Sequence, residues 1–217
     1  MRSSKRKKVE QAADDDDNDS GGGFGIPIVL PSGAGGSMKA TTRTHLNHVY
    51  FNDDITTDTA FALISELKNA ELTQRVMTAT YGNEPAPIYL HLTTNGGEIH
   101  AAFSVVDTIS QMSVPVYTVV DGFVASAGTL ISLAGKKRFI SKNAYMLLHE
   151  LRSGVWGKMS SIEEEMENLK KIMEHITTYY MSKTKLTKKN LDKLLARDVI
   201  WNAEECISRG VADELMQ

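Results

Sequence analysis

Ser126 lies in the run Gly122-Phe-Val-Ala-Ser126-Ala-Gly128-Thr129, between the β-branched segment Val114-Pro-Val-Tyr-Thr-Val-Val120 and the apolar segment Leu130-Ile-Ser-Leu-Ala-Gly135. The first reads as a buried strand and the second as a short helix stopped by glycine. A serine at such a turn has two advantages as a nucleophile. Its small neighbours let a substrate backbone approach, and the amides that open a helix lack intrahelical partners and can stabilise an oxyanion. The arrangement follows the logic of a nucleophile elbow, although the spacing is not Gly-x-Ser-x-Gly. The plainer reading is that small residues only permit close helix–strand packing.

A nucleophilic serine needs a base, and the base needs an orienting group. Of six histidines, His45, His48 and His175 lie in polar contexts and read as surface residues, while His91 sits within a strand and His100 at a helix start. His149 ends the apolar strand Tyr145-Met-Leu-Leu148, where a parallel sheet usually places its site. A satisfied structural histidine would have the same signature. Asp198 precedes the apolar Val199-Ile-Trp201. A carboxylate half-buried beside such a segment needs a partner such as imidazolium, and a nearby basic residue would serve equally. Ser126, His149 and Asp198 thus supply the residue types of a triad, which is defined by geometry and not by chain order.

The elements that must position them can be read in outline. His48–Phe51 is an expected strand, and 55–72 an amphipathic helix capped by Thr57 or Asp58, with Phe61, Ile64 and Leu67 on one face. Pro87–Thr93 is a second strand, followed by the double-glycine turn Thr94-Asn-Gly-Gly-Glu98 and a helix over 99–112. After the third strand (114–120) come short strands at 138–140 and 144–148. Strand and helix alternating at this spacing predict right-handed βαβ units around a mostly parallel sheet. Residues 158–183 form the longest helical candidate, opened by Ser160 or Ser161. Its apolar stripe, Ile162, Met166, Leu169, Ile172, Met173, Ile176 and Tyr180, suits either the core or a partner subunit. A short helix over 187–197 follows.

Composition narrows the function classes. A chain of 217 residues with 41% hydrophobic content suits one globular domain, and a net charge of −3 gives no reason to expect nucleic acid as the main partner. A single cysteine, Cys206, excludes an intramolecular disulfide, and no apolar run reaches membrane-spanning length. The basic Lys5-Arg-Lys-Lys8 is followed by polar and acidic residues instead of an apolar stretch, so a cytoplasmic location is the expectation. Residues 1–43, with opposite charge blocks and glycine runs, read as a flexible tail preceding a folded domain over 44–217. The aliphatic island Ile26-Pro-Ile-Val-Leu30 is expected to dock on this chain or on a neighbouring subunit.

Four segments together resemble the ClpP family, the proteolytic subunits of ATP-dependent Clp proteases. Ile88-Tyr-Leu-His-Leu-Thr-Thr-Asn-Gly-Gly97 is similar to that family's strand and Ser-Pro-Gly-Gly turn. The run 122–128 is similar to its nucleophile motif, and Met146-Leu-Leu-His149 to its Met-Ile-His. Arg197-Asp198 followed by Trp201-Asn-Ala-Glu-Glu205 and Gly210-Val-Ala-Asp213 is similar to its ending. Glu150-Leu151 stands where the family has Gln-Pro, and Ala196 where it often has an acid.

The resemblance implies an α/β fold of the ClpP/crotonase type: a spiral of repeated ββα units with a protruding helix–strand handle over about 150–183. It implies a serine endopeptidase with Ser126 as nucleophile, His149 as base and then acid, and Asp198 orienting the imidazole. The amides of Gly97 and Ala127 would form the oxyanion hole, and Gly96, Leu151, Ser153 and Gly154 would bind substrate. No metal or cofactor is implied in this chain; ATP would be used by a partner AAA+ unfoldase. Two stacked heptameric rings of this chain would receive unfolded polypeptides from that partner. Other readings are a non-catalytic ring subunit of the same fold and a crotonase-type acyl-CoA enzyme. A Ser–Lys signal-peptide peptidase would need a placed lysine and a membrane segment, and neither is evident.

Overall fold

A computed structural model describes residues 42–217. The expected tail, with its Ile26–Leu30 island, lies outside the described residues except for Thr42 and Arg43. These two belong to the first strand, so regular structure is already present ahead of Thr44.

Strands β1 (Thr42–His45) and β2 (His48–Asn52) form an antiparallel hairpin. Helix α1 (Thr57–Tyr81) follows, capped by Thr56 and not by Thr57 or Asp58: Thr56 Oγ1 accepts from the Thr59 amide (3.2 Å), while the Thr59 hydroxyl accepts from the Thr56 amide (2.8 Å). The helix outruns its predicted end at residue 72 because Gly82, at φ 71°, closes it with a bond to Thr78 O. β3 (Ile88–Thr94), α2 (Ile99–Gln111), β4 (Val116–Ala125) and α3 (Ala127–Leu133) come next. After them run β5 (Lys137–Ile140), β6 (Tyr145–Leu148), α4 (Met159–Lys183), α5 (Lys188–Leu195), β7 (Val199–Asn202), α6 (Ala203–Ser208) and β8 (Glu214–Leu215). Ser160 and Ser161 lie inside the first turn of α4, and Lys158 takes the cap position.

The sheet order is β1-β2-β3-β4-β5-β8, with β6 branching from β4 and carrying β7. The branch arises on β4 itself. Its first half, 117–120, pairs in parallel with β5, and its second half, 123–125, with β6. Between the halves, Gly122 at φ 79° bends the strand, and the register against β3 slips: Leu92 faces Val120 but Thr94 faces Val124. The sequence reading ended this strand at Val120. Of the five extra residues, 123–125 are strand because β6 pairs with them.

One sheet face is the core. Val49 and Phe51, Ile88, Leu90 and Leu92, and Val116 and Val120 are buried together with Leu63 and Leu67 of α1, Ala102 and Val105 of α2, and Leu130 and Leu133 of α3. A buried carboxylate ties the helical layer to the sheet: Glu71 accepts from the Ser113 amide (2.6 Å) and hydroxyl (2.8 Å). Burial alone would raise the Glu71 pKa, but these bonds, with Lys68 nearby, overcome it and hold the group below its ordinary value. At the other end, Arg138 donates through its backbone N–H (2.9 Å) and Nε (3.1 Å) to Asp213, fastening the last residues to β5. In α6, Cys206 is fully buried, its thiol faces Trp201 O at 3.8 Å, and burial pushes its pKa up to about 12.

The opposite sheet face carries Tyr50, Tyr89, Tyr117 and Phe139 with His48 and His91. His48 stacks on Tyr89 at 4.8 Å and Tyr50 on His91 at 4.4 Å. His48, read from sequence as a surface residue, instead joins a chain of bonds. The Asp121 carboxylate, acceptor only, takes the His91 Nδ1–H (2.6 Å), leaving His91 Nε2 to accept from His48 Nδ1–H (2.9 Å). Burial, then His91 and His45, push the His48 pKa below its ordinary value.

Candidate active site

Ser126 is where the extended second half of β4 meets α3. Its backbone is at φ 54°, ψ −126°, a region costly for any residue with a Cβ. The surroundings enforce that conformation. The Ser126 amide donates to Leu147 O of β6 (2.9 Å), and its carbonyl accepts from the Thr129 amide (3.0 Å) and hydroxyl (2.5 Å). Because the Thr129 proton is committed to Ser126 O, the buried Tyr180 hydroxyl donates to Thr129 Oγ1. Tyr180 is only 3% exposed, and burial pushes its pKa up to about 12, so it remains a donor at neutral pH. A residue of the long helix α4 thus braces the Ser126 turn. Sequence reasoning placed Tyr180 on an apolar stripe and missed this role; the signal available was a hydroxyl amid aliphatic neighbours, which must find a partner when buried.

The small residues around Ser126 are required by contact. A Cβ on Gly128 would lie 2.4 Å from Thr94 Cγ2, and one on Gly96 would lie 2.6 Å from Ser126 Cβ. Gly96 therefore packs directly behind Ser126. Gly97, at φ 145°, adjoins Ile55: the Ile55 amide donates to Gly96 O (2.7 Å) and the Glu98 amide to Ile55 O (2.8 Å). Among the described residues the amides of Gly97 and Ala127 have no hydrogen-bond partner, and both residues line the same cleft as the serine. The Asn95 side chain, where the resemblance expects proline, donates to Asp54 (3.2 Å) and fixes the turn from the outside.

The cleft has a volume of about 280 Å³. Ile99, Leu130, Leu151, Ile176 and Tyr180 make its apolar wall; Ser126, His149, Glu150 and Arg152 make its polar side. Ser126, His149, Gly97, Ala127 and Leu151 are thus brought together. Ser153 and Gly154 are exposed outside the lining. Among the described residues Ser126 Oγ makes no hydrogen bond, and His149 Nδ1–H donates to Glu150 O (2.6 Å). That bond fixes the tautomer with Nε2 free to accept a proton. Asp198 is not half-buried beside the imidazole. Its side chain is 57% exposed, and both its oxygens accept from Arg152 Nη2, at 2.7 and 2.6 Å. Of the two partners left open by the sequence, the basic residue is the one observed. Among the described residues no three histidine, cysteine or carboxylate side chains converge to hold a metal ion, and no helix is long and apolar enough to cross a membrane.

The Clp protease family model matches residues 47–217. The chain belongs to that family. It is 34% identical over 131 residues to ATP-dependent Clp protease proteolytic subunit 2 of Treponema denticola, covering 59% of this chain and 66% of that one. It is 28% identical over 172 residues to proteolytic subunit 1 of Chlamydia abortus, covering 77% and 85%. A subunit from Streptococcus pyogenes is 32% identical over 134 residues, covering 60% and 68%. The mixed α/β architecture, with its branched sheet and projecting α4, agrees with this membership.

Proposed function

We propose that this chain is a serine peptidase subunit of Clp type, cleaving unfolded polypeptides through an acyl-enzyme on Ser126. One observation carries the reading: a serine at positive φ opens onto a cleft where two amides, of Gly97 and Ala127, have no partner in the described fold. A purely structural turn has no need of a strained serine beside two unpaired donors. His149 Nε2 accepts the Ser126 proton as Oγ attacks the scissile carbonyl, and the two amides receive the developing oxyanion. The imidazolium then protonates the leaving amine, the acyl ester forms, and a water deprotonated by the same Nε2 hydrolyses it. Asp198 is the group that would orient His149 and stabilise the imidazolium.

The apolar wall of the cleft, with Ile99, Leu130 and Ile176, suits an apolar substrate side chain next to the cleaved bond. Exposed apolar residues on α1 (Phe61, Leu72, Val76, Met77) and near α4 (Trp156, Met159, Met166) support assembly of the chain into rings. The relatives are named ATP-dependent, which supports service by an ATP-driven unfoldase. A crotonase-type acyl-CoA reading would use the same amides but leaves the strained Ser126 without a task.

The test is a fluorophosphonate probe with mass spectrometric site assignment, alongside hydrolysis of a fluorogenic peptide. Label on Ser126, and a loss of at least about 10⁴-fold in kcat/KM on Ser126→Ala, are expected. Undiminished hydrolysis in Ser126→Ala would refute the assignment.

A further inference from the structure

Both halves of a His149–Asp198 hydrogen bond are engaged elsewhere, and by residues only two apart in the chain. The Nδ1–H that His149 would give to Asp198 goes to Glu150 O at 2.6 Å. The two carboxylate oxygens that would receive it accept instead from Arg152 Nη2, at 2.7 and 2.6 Å. The two segments are also joined through their backbones, since the Glu150 amide donates to Leu195 O (2.8 Å). Arg152 lines the cleft as well as holding Asp198. It therefore stands where release of Asp198 and occupation of the cleft meet.

We propose that Arg152 is a positioning residue that withholds Asp198 from His149, so that the chain rests with its triad open and completes it only when the Arg152–Asp198 pair lets go. The inference rests on the serine-peptidase reading above. The pair is a latch and not a block: with side chains 68% and 57% exposed, water and dissolved ions compete for both partners, and such pairs are weak. When it opens, the Asp198 carboxylate is free to accept from His149 Nδ1–H, and Glu150 O gives up that hydrogen bond.

The experiment is steady-state hydrolysis of an uncharged fluorogenic peptide by the full-length assembled protein, comparing wild type with Arg152→Leu, Arg152→Lys and Asp198→Asn, singly and combined. At low ionic strength Arg152→Leu is expected to raise kcat about three- to fivefold with KM unchanged, as release of one exposed ion pair allows. Arg152→Lys should give a smaller gain. In the Asp198→Asn background, Arg152→Leu should give none. Wild-type kcat should rise with salt toward that of Arg152→Leu, whose own kcat stays flat. The proposal is overturned if assembled Arg152→Leu turns over no faster than wild type, if its gain persists with Asp198→Asn, or if only KM moves. Should Arg152→Leu not assemble, the Lys variant and the salt series decide: a wild-type kcat insensitive to salt sinks the latch. Ser126→Ala in each background separates the two levels. Activity remaining there removes the peptidase reading, whereas activity lost there with an inert Arg152→Leu removes the latch alone.

Discussion

The corner that carries Ser126 is built from buried backbone, whereas the carboxylate of Asp198 is held by one exposed ion pair. At the corner, β4, β6, α3 and α4 all contribute: Leu147 O takes the serine amide, Thr129 takes its carbonyl, and Tyr180 braces Thr129. Glycines at 96 and 128 allow approaches of 2.6 and 2.4 Å to the positions a Cβ would need. At Asp198, by contrast, the partner Arg152 is 68% exposed and belongs to the irregular segment between β6 and α4. In the proposed mechanism, the half of the site that would meet the oxyanion is fixed by folding, and the half that would tune the base is left to side chains in solvent. Pre-organisation is needed where charge develops, while an orienting acid can be supplied late.

The strongest way to break this contrast is Gly97→Ala. The new Cβ would sit 2.1 Å from Ile55 O at φ 145°, so the turn must move and take the Gly97 amide, the proposed oxyanion donor, with it. A fall of about 10²- to 10³-fold in kcat is expected, the size of losing one such donor. A variant with wild-type kcat would show that the corner is not pre-organised by this turn. Next in size is Glu71→Ala, which orphans the Ser113 amide and should cost about 1–3 kcal/mol in urea unfolding. Its pH dependence carries a sign. Because the folded-state pKa is lowered, the wild-type contribution is complete above the ordinary carboxylate value of 4.5 and is lost as pH falls through the lower folded value. The wild-type advantage over Glu71→Ala must therefore shrink on acidification; an advantage that grows would contradict the assignment.

Tyr180→Phe removes the hydroxyl that braces Thr129 while leaving the ring in place. A loss of about 0.5–1.5 kcal/mol is expected, together with slower fluorophosphonate labelling of Ser126. Labelling at an unchanged rate would mean that α4 does not support the corner. Smallest of all is the effect of Arg152→Leu on stability, below about 1 kcal/mol, since exposed pairs contribute little. That variant sharpens the contrast from the other side: turnover should respond where the denaturation midpoint does not.

What could be read from sequence divides along the same line. Helix α2 was legible almost to the residue, because Ala102, Val105, Val106 and Ile109 repeat at helical spacing and are all buried. The strand expected over 87–93 was legible to within one residue of the observed 88–94. β4 was cut short because Gly122 looked like a turn; pairing with β6 and, past the register slip, with Thr94 of β3 makes 123–125 a strand. The far end of α1 was invisible because residues 75–77 and 79–81 are exposed or only partly buried and carry no apolar stripe. The grouping of Ser126, His149, Gly97 and Ala127 at one cleft was expected from motifs at the ends of β3, β4 and β6. The hold of Arg152 on Asp198 was not, for it joins residues 46 apart through two flexible side chains. No periodicity reports such a pair.

Cys206 has a practical corollary. It is the only cysteine in the chain, it is fully buried, and its pKa stands near 12, so alkylating reagents at neutral pH find almost no thiolate there. The protein is thus a silent background for single-site chemistry. Trp156, 98% exposed in the segment leading to α4, can be exchanged for cysteine and tagged alone. A fluorophore at that position would report, by self-quenching, whether copies of this chain associate through that segment.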